Sequence, residues 1–243
     1  MKNYLFILFF IGCFCSSYAQ NDELNGSKWR LNIAGGLGYI TTGISKKNTM
    51  IYGSNGEKVN DMYDDLKKGV QGHADIHYLF NKNVGLGMKY AFFTTNGSMT
   101  QKSHFYTLEF KETDYVNFIG PSLHLRSFIG DSRWAFSVTL SGGYAHFRGE
   151  SEIYKSYFDN FPYPGERVLA TGGTFGVSGG FGLEYRLNKY IALGFDMGYF
   201  RLSFGHLKVR TNYENDQKLE DFVNSGDNDY SRLDYSLGIK VYF

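Results

Sequence analysis

Residues 233–243 read LDYSLGIKVYF, and side chains of two kinds alternate along this stretch. Every odd position carries a large apolar or aromatic residue, while the even positions carry Asp, Ser, Gly, Lys and Tyr. Successive side chains of a β-strand point to opposite faces, so a period of two predicts a strand with one apolar face. The small and charged residues fall on the other face.

Seven further segments repeat this pattern upstream. Glycine and aromatic residues are frequent in the whole chain, with 30 Gly, 20 Tyr and 22 Phe against only 3 Pro, which favours strands over helices. The pattern is weakest in the fourth segment, where Asn117 falls on the apolar face. In chain order the seven segments cover residues 29–39, 70–80, 84–92, 115–125, 134–144, 175–187 and 191–199.

The choice between a soluble sandwich and a membrane barrel depends on which face carries the bulky residues. A sandwich also alternates, but its outer face lies in water and carries long polar side chains. Here the polar face is built mainly from glycine, serine and charged residues, which suit a narrow lumen, and the opposite face is large and apolar. This arrangement is typical of a transmembrane barrel, and the aromatic residues near the segment ends predict interface girdles.

The connections between the segments alternate in length. Residues 81–83, 127–133 and 188–190 form short connections, while long ones cover 41–69, 93–114, 146–171 and 202–232. An even number of strands lets the last strand pair with the first, and lipid requires such closure because an open edge would leave backbone groups unpaired. We therefore predict an all-β fold over residues 29–243, an eight-stranded antiparallel up-and-down transmembrane β-barrel with short periplasmic turns and four long extracellular loops.

The N-terminus predicts export from the cytoplasm. Lys2 precedes an apolar run that ends near Phe14, and small residues before Gln20 predict a signal peptide over residues 1–19, followed by a short segment over 20–28. A lipoprotein signal at Cys13 is the alternative. Both cysteines, Cys13 and Cys15, lie in the cleaved part, so disulfides, zinc thiolates and a cysteine nucleophile are not expected. Cleavage also removes the single net positive charge, and a neutral chain is not expected to bind nucleic acid.

Charged and polar side chains on the small-residue face predict a polar network in the lumen. With a turn at residues 81–83, Asp75 falls opposite Lys89, and we expect these two to pair. His73, Asp75 and His77 share one face and offer an alternative as metal ligands, but no fourth ligand is assignable, so neither a metal nor a cofactor is predicted. A narrow ion path is a further alternative. The predicted lumen residues are Arg30, His73, Asp75, His77, Lys89, Arg126, Glu184, Arg186, Asp196, Asp234 and Lys240.

The third long loop is rich in aromatic residues, which suit a binding surface or the packing of loops against each other. The candidates are Tyr154, Tyr157, Phe158, Phe161 and Tyr163. For a lipid-modifying enzyme the nearby nucleophile and base candidates are Ser103 with His104, and His146 with Glu150 or Ser151. Isolated Ser and His residues occur in any chain, so we expect no enzymatic activity.

Two stretches resemble the small outer-membrane β-barrel family of Gram-negative bacteria, related to the membrane domain of outer-membrane protein A. Residues 117–123, NFIGPSL, resemble a central strand of its "porin family" members, and residues 235–243 resemble a terminal strand with a final aromatic residue. The resemblance implies residence in the outer membrane and contact with its lipid and lipopolysaccharide. It also implies that the barrel-assembly machinery reads Tyr235, Leu237, Ile239, Val241 and Phe243 as an assembly signal.

Together these observations predict a non-enzymatic outer-membrane protein. We expect it to support the envelope, or to bind an extracellular ligand through its long loops. A narrow channel for ions or small solutes is the second hypothesis, and a lipid-modifying enzyme is the third.

Overall fold

The computed structural model describes residues 27–42, 62–102, 106–130, 133–157, 161–162, 166–211, 220–222 and 228–243. The expected signal peptide, with residues 20–26 after it, lies outside the described residues. In the described part of the chain no helix is long and apolar enough to cross a membrane.

Eight strands form one closed antiparallel ring, as predicted. Each strand pairs with the next along the chain, and the eighth pairs with the first. The strands are β1 (Trp29–Ile40), β2 (Lys68–Leu79), β3 (Val84–Lys102), β4 (Tyr106–Phe128), β5 (Trp134–Tyr157), β6 (Glu166–Arg186), β7 (Ile191–Arg201) and β8 (Arg232–Tyr242).

Shorter strands lie at the extracellular end. Leu207–Thr211 pairs with the upper part of β6 and with Glu220–Phe222, while Ser203–Phe204 pairs with Asn228–Asp229. Phe161–Pro162 pairs with the end of β5. The pair of 203–204 with 228–229 forms a separate two-stranded sheet, while the other short strands extend the sheet of the ring.

The ring closes through a seam between β1 and β8. At its periplasmic end the Trp29 N–H donates to the Phe243 carbonyl at 2.8 Å, and the Phe243 N–H donates back to the Trp29 carbonyl at 3.0 Å. Gly36 permits the close approach of the two strands higher up, because a Cβ there would lie 1.9 Å from the Tyr235 carbonyl oxygen. The seam thus leaves no open edge in this part of the ring.

Asparagine side chains shape two of the short turns. The Asn81 Oδ1 atom accepts 2.8 Å hydrogen bonds from the N–H groups of Asn83 and Val84. Asn188 makes the same kind of turn between β7 and the preceding strand. Side-chain oxygens that bond the backbone two or three residues ahead favour tight turns. The first of these turns sets the register between β2 and β3 and places Asp75 opposite Lys89, as predicted.

The large apolar side chains point outward, as the alternation predicts. Leu37, Phe175 and Leu237 are 67%, 71% and 71% exposed in the isolated chain. A folded soluble protein buries such residues, whereas a barrel in lipid presents them to acyl chains.

The predicted boundaries of the middle strands are wrong. The predicted loops 93–114 and 146–171 are largely β-structure, because β3, β4, β5 and β6 continue well beyond the lipid-facing band. In these upper parts the apolar residues lie on the inward face and the polar residues on the outward face: Leu108 and Phe110 face inward, while Glu109 and Lys111 face outward. We call residues 94–102, 106–115, 146–157 and 166–173 the extracellular extension.

A single helical turn over residues 62–66 fills the inside of this extension. Met62 and Leu66 are buried against the inward-facing side chains of Met99 and Phe110. Gly97 makes room for the turn, because a Cβ there would lie 2.8 Å from Cγ of Leu66. The end of the predicted first long loop is therefore folded into the mouth of the barrel.

Candidate functional site

Arg30 is the centre of the ion-pair network inside the barrel. Its Nη1 donates to Oδ1 of Asp75 at 2.7 Å, and its Nη2 donates to Oε1 of Glu184 at 3.0 Å. All three side chains are buried. Buried carboxylates are tolerated when they are paired and hydrogen-bonded, and the guanidinium group offers a planar fork that serves both.

A second ion pair crosses the same lumen and shares Glu184. The Lys240 ammonium donates to Oδ1 of Asp196 at 2.7 Å and lies 3.3 Å from Oε1 of Glu184. The Tyr242 hydroxyl donates to the other Glu184 oxygen at 2.5 Å. Gly194 leaves the space for this arrangement, since a Cβ there would lie 2.4 Å from Cε of Lys240.

The remaining predicted lumen residues also lie on the inward face. Asp234 pairs with Arg232 at 3.0 Å, and the Arg126 guanidinium donates to the Lys82 carbonyl at 3.0 Å. The guanidinium of Arg186 stacks on Phe128 at 4.6 Å. The structure therefore connects only part of the predicted set by ion pairs, and it adds Arg232, which the sequence analysis placed in a loop. Continuing the alternation of β8 by one step would have found it.

The expected ion pair between Asp75 and Lys89 is wrong, although the two residues are opposite each other. Asp75 is bonded by Arg30 and, through Oδ2, by Asn32 at 2.8 Å. Lys89 instead lies 3.4 Å from Oγ of Ser178 and 5.0 Å from the ring centre of Phe200. The neighbouring strand β1 supplies two donors to Asp75, and these occupy both carboxylate oxygens.

The three candidate metal ligands serve the same network. His77 Nδ1 lies 3.1 Å from Oδ1 of Asp75, and His73 Nε2 lies 3.9 Å from the nearest oxygens of Asp75 and Asp196. Asp75 already accepts from Arg30 at 2.7 Å. In the part of the chain that the structure describes, no three His, Cys, Asp or Glu side chains are placed to share a metal ion.

An apolar layer lies above this network on the extracellular side. Phe93 covers Gly38 and Gly69, where an added Cβ would lie 2.8 Å and 2.6 Å from the nearest ring atom. Phe118 and Phe200 meet edge to face with ring centres 5.4 Å apart. The buried members of this aromatic layer are Ile40, Ala91, Phe93, Val116, Phe118, Ala145, Phe147, Phe200, Leu202, Phe204, Leu207 and Tyr230.

A small cavity of about 30 Å³ lies between the network and the aromatic layer. Its lining includes Asn32, Lys89, Asp196 and Phe200. One water molecule needs roughly 10–15 Å³ on this measure, so the cavity has room for about two. The space matches internal water rather than a passage.

A pair of acids, with Asp114 buried and Glu112 partly buried, lies inside the extracellular extension and was missed by the sequence analysis. Glu112 and Asp114 both face inward on β4, and the Tyr230 hydroxyl donates a 2.6 Å hydrogen bond to Oδ2 of Asp114. Burial raises the pKa of Asp114 to about 7, and burial together with the Asp114 charge raises the pKa of Glu112 to about 8. The available signal was the reversed alternation of this segment, which places even positions inside.

The aromatic loop candidates are only partly visible. Tyr154 is 38% exposed, and its hydroxyl donates to Oε2 of Glu152 at 3.0 Å. The backbones of Tyr157 and Phe161 pair across the hairpin. Phe158 and Tyr163 lie outside the described residues, so the candidate set stays a prediction.

The candidate nucleophile and base pairs are not brought together in the described residues. Ser103 and His104 lie outside them. His146 and Ser151 occupy positions of β5 that face opposite sides of the sheet, His146 outward and Ser151 inward. His146 and Glu150 do share the outward face, but Glu150 pairs with Arg148 at 2.5 Å.

Comparison with known proteins agrees with this architecture. The family model described as "Outer membrane protein beta-barrel domain" matches residues 6–243. The chain belongs to this outer-membrane β-barrel family. It is a protein of the bacterial outer membrane, and no curated protein sequence matches it.

Solved structures with the same kind of fold share little sequence with this outer-membrane barrel. A major outer membrane protein from Thermus thermophilus is 10% identical over 90% of this chain and 100% of its own, with a TM-score of 0.55. Neisserial surface protein A is 13% identical over 89% and 98% of the two chains, with a TM-score of 0.43. OprG from Pseudomonas aeruginosa is 14% identical over 91% and 99%, also at 0.43.

Proposed function

We propose that this outer-membrane barrel is a closed, non-enzymatic scaffold that presents its extracellular extension for binding at the cell surface. The aromatic layer above the ion-pair network carries the proposal. Phe93, Phe118 and Phe200 fill the width of the lumen where a channel would need water. An eight-stranded barrel is just wide enough for its own side chains, so such a layer leaves no room for a solute.

The ion-pair network below the layer supports the same conclusion. A conducting lumen needs charged groups that face water and attract one sign of ion. Here Arg30 and Lys240 are each bonded to two carboxylates. The side chains of Arg30 and Lys240 are buried. Residues that pair in this way stabilise the wall and are not free to select ions.

Conductance in a planar bilayer tests the closed state. The refolded mature protein should insert, as judged by its heat-modifiable mobility and by protease protection in vesicles, and should give no current steps. Reproducible steps from inserted wild-type protein would contradict the proposal and favour the narrow channel.

The outward face of the extracellular extension supports a role in surface binding. It carries polar and charged side chains in register across three long strands, including Lys111, Glu152 and Arg167. A sheet continuous with the barrel reaches Tyr157 and Phe161, whose backbones pair, and the aromatic candidates lie along this stretch of the sequence. Rigid platforms that carry exposed aromatic residues suit recognition.

Deletion of residues 157–163 tests the binding role. Wild-type and deleted proteins would be compared on an array of purified glycans and extracellular proteins, with folding checked by heat-modifiable mobility. We expect the deleted protein to fold and to lose binding. A deleted protein that retains every interaction of the wild type would contradict the proposal.

A role in envelope integrity is separated from binding by complementation. A strain without this protein would be tested for detergent sensitivity and then supplied with either form of the chain. Rescue by the form lacking residues 157–163 would assign the role to the barrel itself, and rescue by the full chain alone would assign it to the hairpin. In either case the outward apolar face contacts membrane lipid and lipopolysaccharide, and residues 235–243 guide assembly.

A further inference from the structure

Two carboxylic acids, Glu112 and Asp114, face the inside of the extracellular extension, and no cation among the described residues pairs with either. Asp114 is 1% exposed, and its register neighbours are Thr95 on β3 and Gly149 on β5. Glu112, one step further along β4, has Gly97 and Ser151 as its register neighbours. None of these four neighbours carries a charge.

Two tyrosines from other elements lie near the pair, Tyr63 from the helical turn and Tyr230 from the segment before β8. Burial raises the pKa of Tyr63, in the helical turn, and the nearby negative charge of Glu112 raises it further. Lys67, directly after the turn, pairs with Asp64, with Nζ 2.8 Å from Oδ1. Among the described residues, no Lys or Arg side chain lies within ion-pair distance of Glu112 or Asp114.

Tyr230 connects this acid pair to the segment that closes the mouth. Its hydroxyl donates to Asp114, while its own N–H donates to the Leu202 carbonyl at 2.9 Å. Its ring lies 4.9 Å from that of Phe147 and 5.9 Å from that of Phe204, within the aromatic layer. Tyr230 therefore gives the segment before β8 a polar contact with β4, while hydrogen bonds from Thr41, Thr42 and Leu202 hold the same segment to the residues that follow β1 and β7.

We propose that Glu112 and Asp114 form a proton-operated latch on the extracellular mouth. While the pair keeps a proton, the Tyr230 contact holds the segment 228–231 against β4. When both acids ionise, two negative charges face each other in a water-poor interior, and this repulsion loosens the segment. The packing of Tyr230 against Phe147 and Phe204 is thereby weakened, while the remainder of the aromatic layer stays in place.

The direction of the pH effect follows from linkage. Burial raises the pKa of both acids above the value of about 4 expected in an unfolded chain. A group with a raised folded-state pKa contributes its stabilisation at acid pH, and this is lost as the pH passes through the folded value. The hydrogen bond from Tyr230 favours the ionised form of Asp114, but burial is the larger effect. The stabilisation of the closed latch is therefore complete in acid, falls as the pH rises from about 4 through the raised values of about 7 and about 8, and reaches a plateau above them.

Hydrogen exchange of the refolded protein in vesicles tests the latch. Protection of the amides in 228–231 and 110–116, corrected for intrinsic exchange, would be followed from about pH 6 to about pH 9. We expect protection to fall by up to about tenfold per pH unit for each proton released on opening, and to level off above the raised value of about 8. The double variant E112Q–D114N should show a flat profile, because neither amide ionises.

Two further variants keep the test decisive. E109Q changes an exposed acid on the outward face of the same strand and should keep the wild-type slope. Y230F should lower protection at about pH 6 because it removes the hydroxyl that ties the segment to Asp114, by roughly five- to tenfold. If the double variant does not fold, E112Q alone should reduce the slope.

Three results would overturn the latch. They are a flat wild-type profile, a slope that persists in the neutral variant, or a Y230F protein as protected at acid pH as the wild type.

Discussion

Arg30 and Glu184, 154 positions apart in the chain, are joined inside the barrel by an ion pair of 3.0 Å. Because Arg30 also bonds Asp75, one guanidinium neutralises two buried carboxylates from strands β2 and β6. We expect R30Q to destabilise the barrel by about 3–5 kcal/mol, since it removes the cation shared by two buried carboxylates. The free energy of unfolding in urea, measured in vesicles, checks this.

An exposed ion pair provides the matched control for that variant. Arg167 pairs with Glu152 at 3.0 Å on the outward face of the extension, where water screens the charges. R167Q should change the free energy of unfolding by no more than about 1 kcal/mol. Equal losses in R30Q and R167Q would show that burial of the pair is not what stabilises the barrel.

Lys89 should behave differently from Arg30 although both are buried cations. Its ammonium makes one long contact with Ser178 and none within 4.0 Å of a described carboxylate. Replacing a buried charge that lacks a close partner by an apolar residue of similar shape is often neutral or stabilising. We expect the free energy of unfolding of K89M to be higher than that of the wild type, or lower by no more than about 1 kcal/mol. A loss as large as that of R30Q would contradict the assignment of partners.

Gly36 and Gly35 are adjacent in β1, but we expect alanine to destabilise the barrel only at Gly36. A Cβ at Gly36 would lie 1.9 Å from the Tyr235 carbonyl oxygen in the seam, whereas the nearest atom to a Cβ at Gly35 is 3.8 Å away. G36A must push the β1 and β8 backbones apart and should cost about 1–3 kcal/mol. G35A should stay within about 0.5 kcal/mol. The folded fraction of each variant is measured by heat-modifiable mobility. Equal folded fractions of G36A and G35A would rule out a close contact in the seam.

Thr95 should hold the helical turn in the mouth. Its hydroxyl lies 2.9 Å from the Leu66 carbonyl and 2.7 Å from the Lys68 carbonyl, so it can donate to either. T95V removes this donor and should speed amide exchange in residues 62–66 by roughly fivefold. T94V, on the outward face of the same strand, is the control. An unchanged rate in T95V would assign the position of the turn to the packing of Met62 and Leu66 alone.

The period-two pattern predicted the ring, its closure and the inward side chains, because pleating fixes which face a residue takes once the strand is known. The turn at Asn81 likewise fixed Asp75 opposite Lys89. Which cation reaches Asp75 was beyond the pattern, since Arg30 comes from the other neighbouring strand and Glu184 from across the lumen.

The extracellular extension was missed for a different reason. Large residues were expected to face outward along the whole of every strand, but they do so only where the strand lies in lipid. Above the membrane the surroundings are water, so Phe110 and Phe147 turn inward while Glu109 and Arg148 turn outward. The signal was present in Leu108 to Lys111 as an alternation of the opposite sign.

The seam between Trp29 and Phe243 has a consequence for the order of assembly. The contacts that complete the ring join the two ends of the barrel in sequence, so they have the highest contact order in the molecule and carry the greatest loop-closure entropy. Until they form, β1 and β8 each present a row of unpaired backbone groups that lipid cannot satisfy. A ring in which β1 and β8 have not yet paired is therefore a high-energy species in the bilayer. Insertion should proceed as an all-or-none event whose rate is limited by the pairing of these two strands.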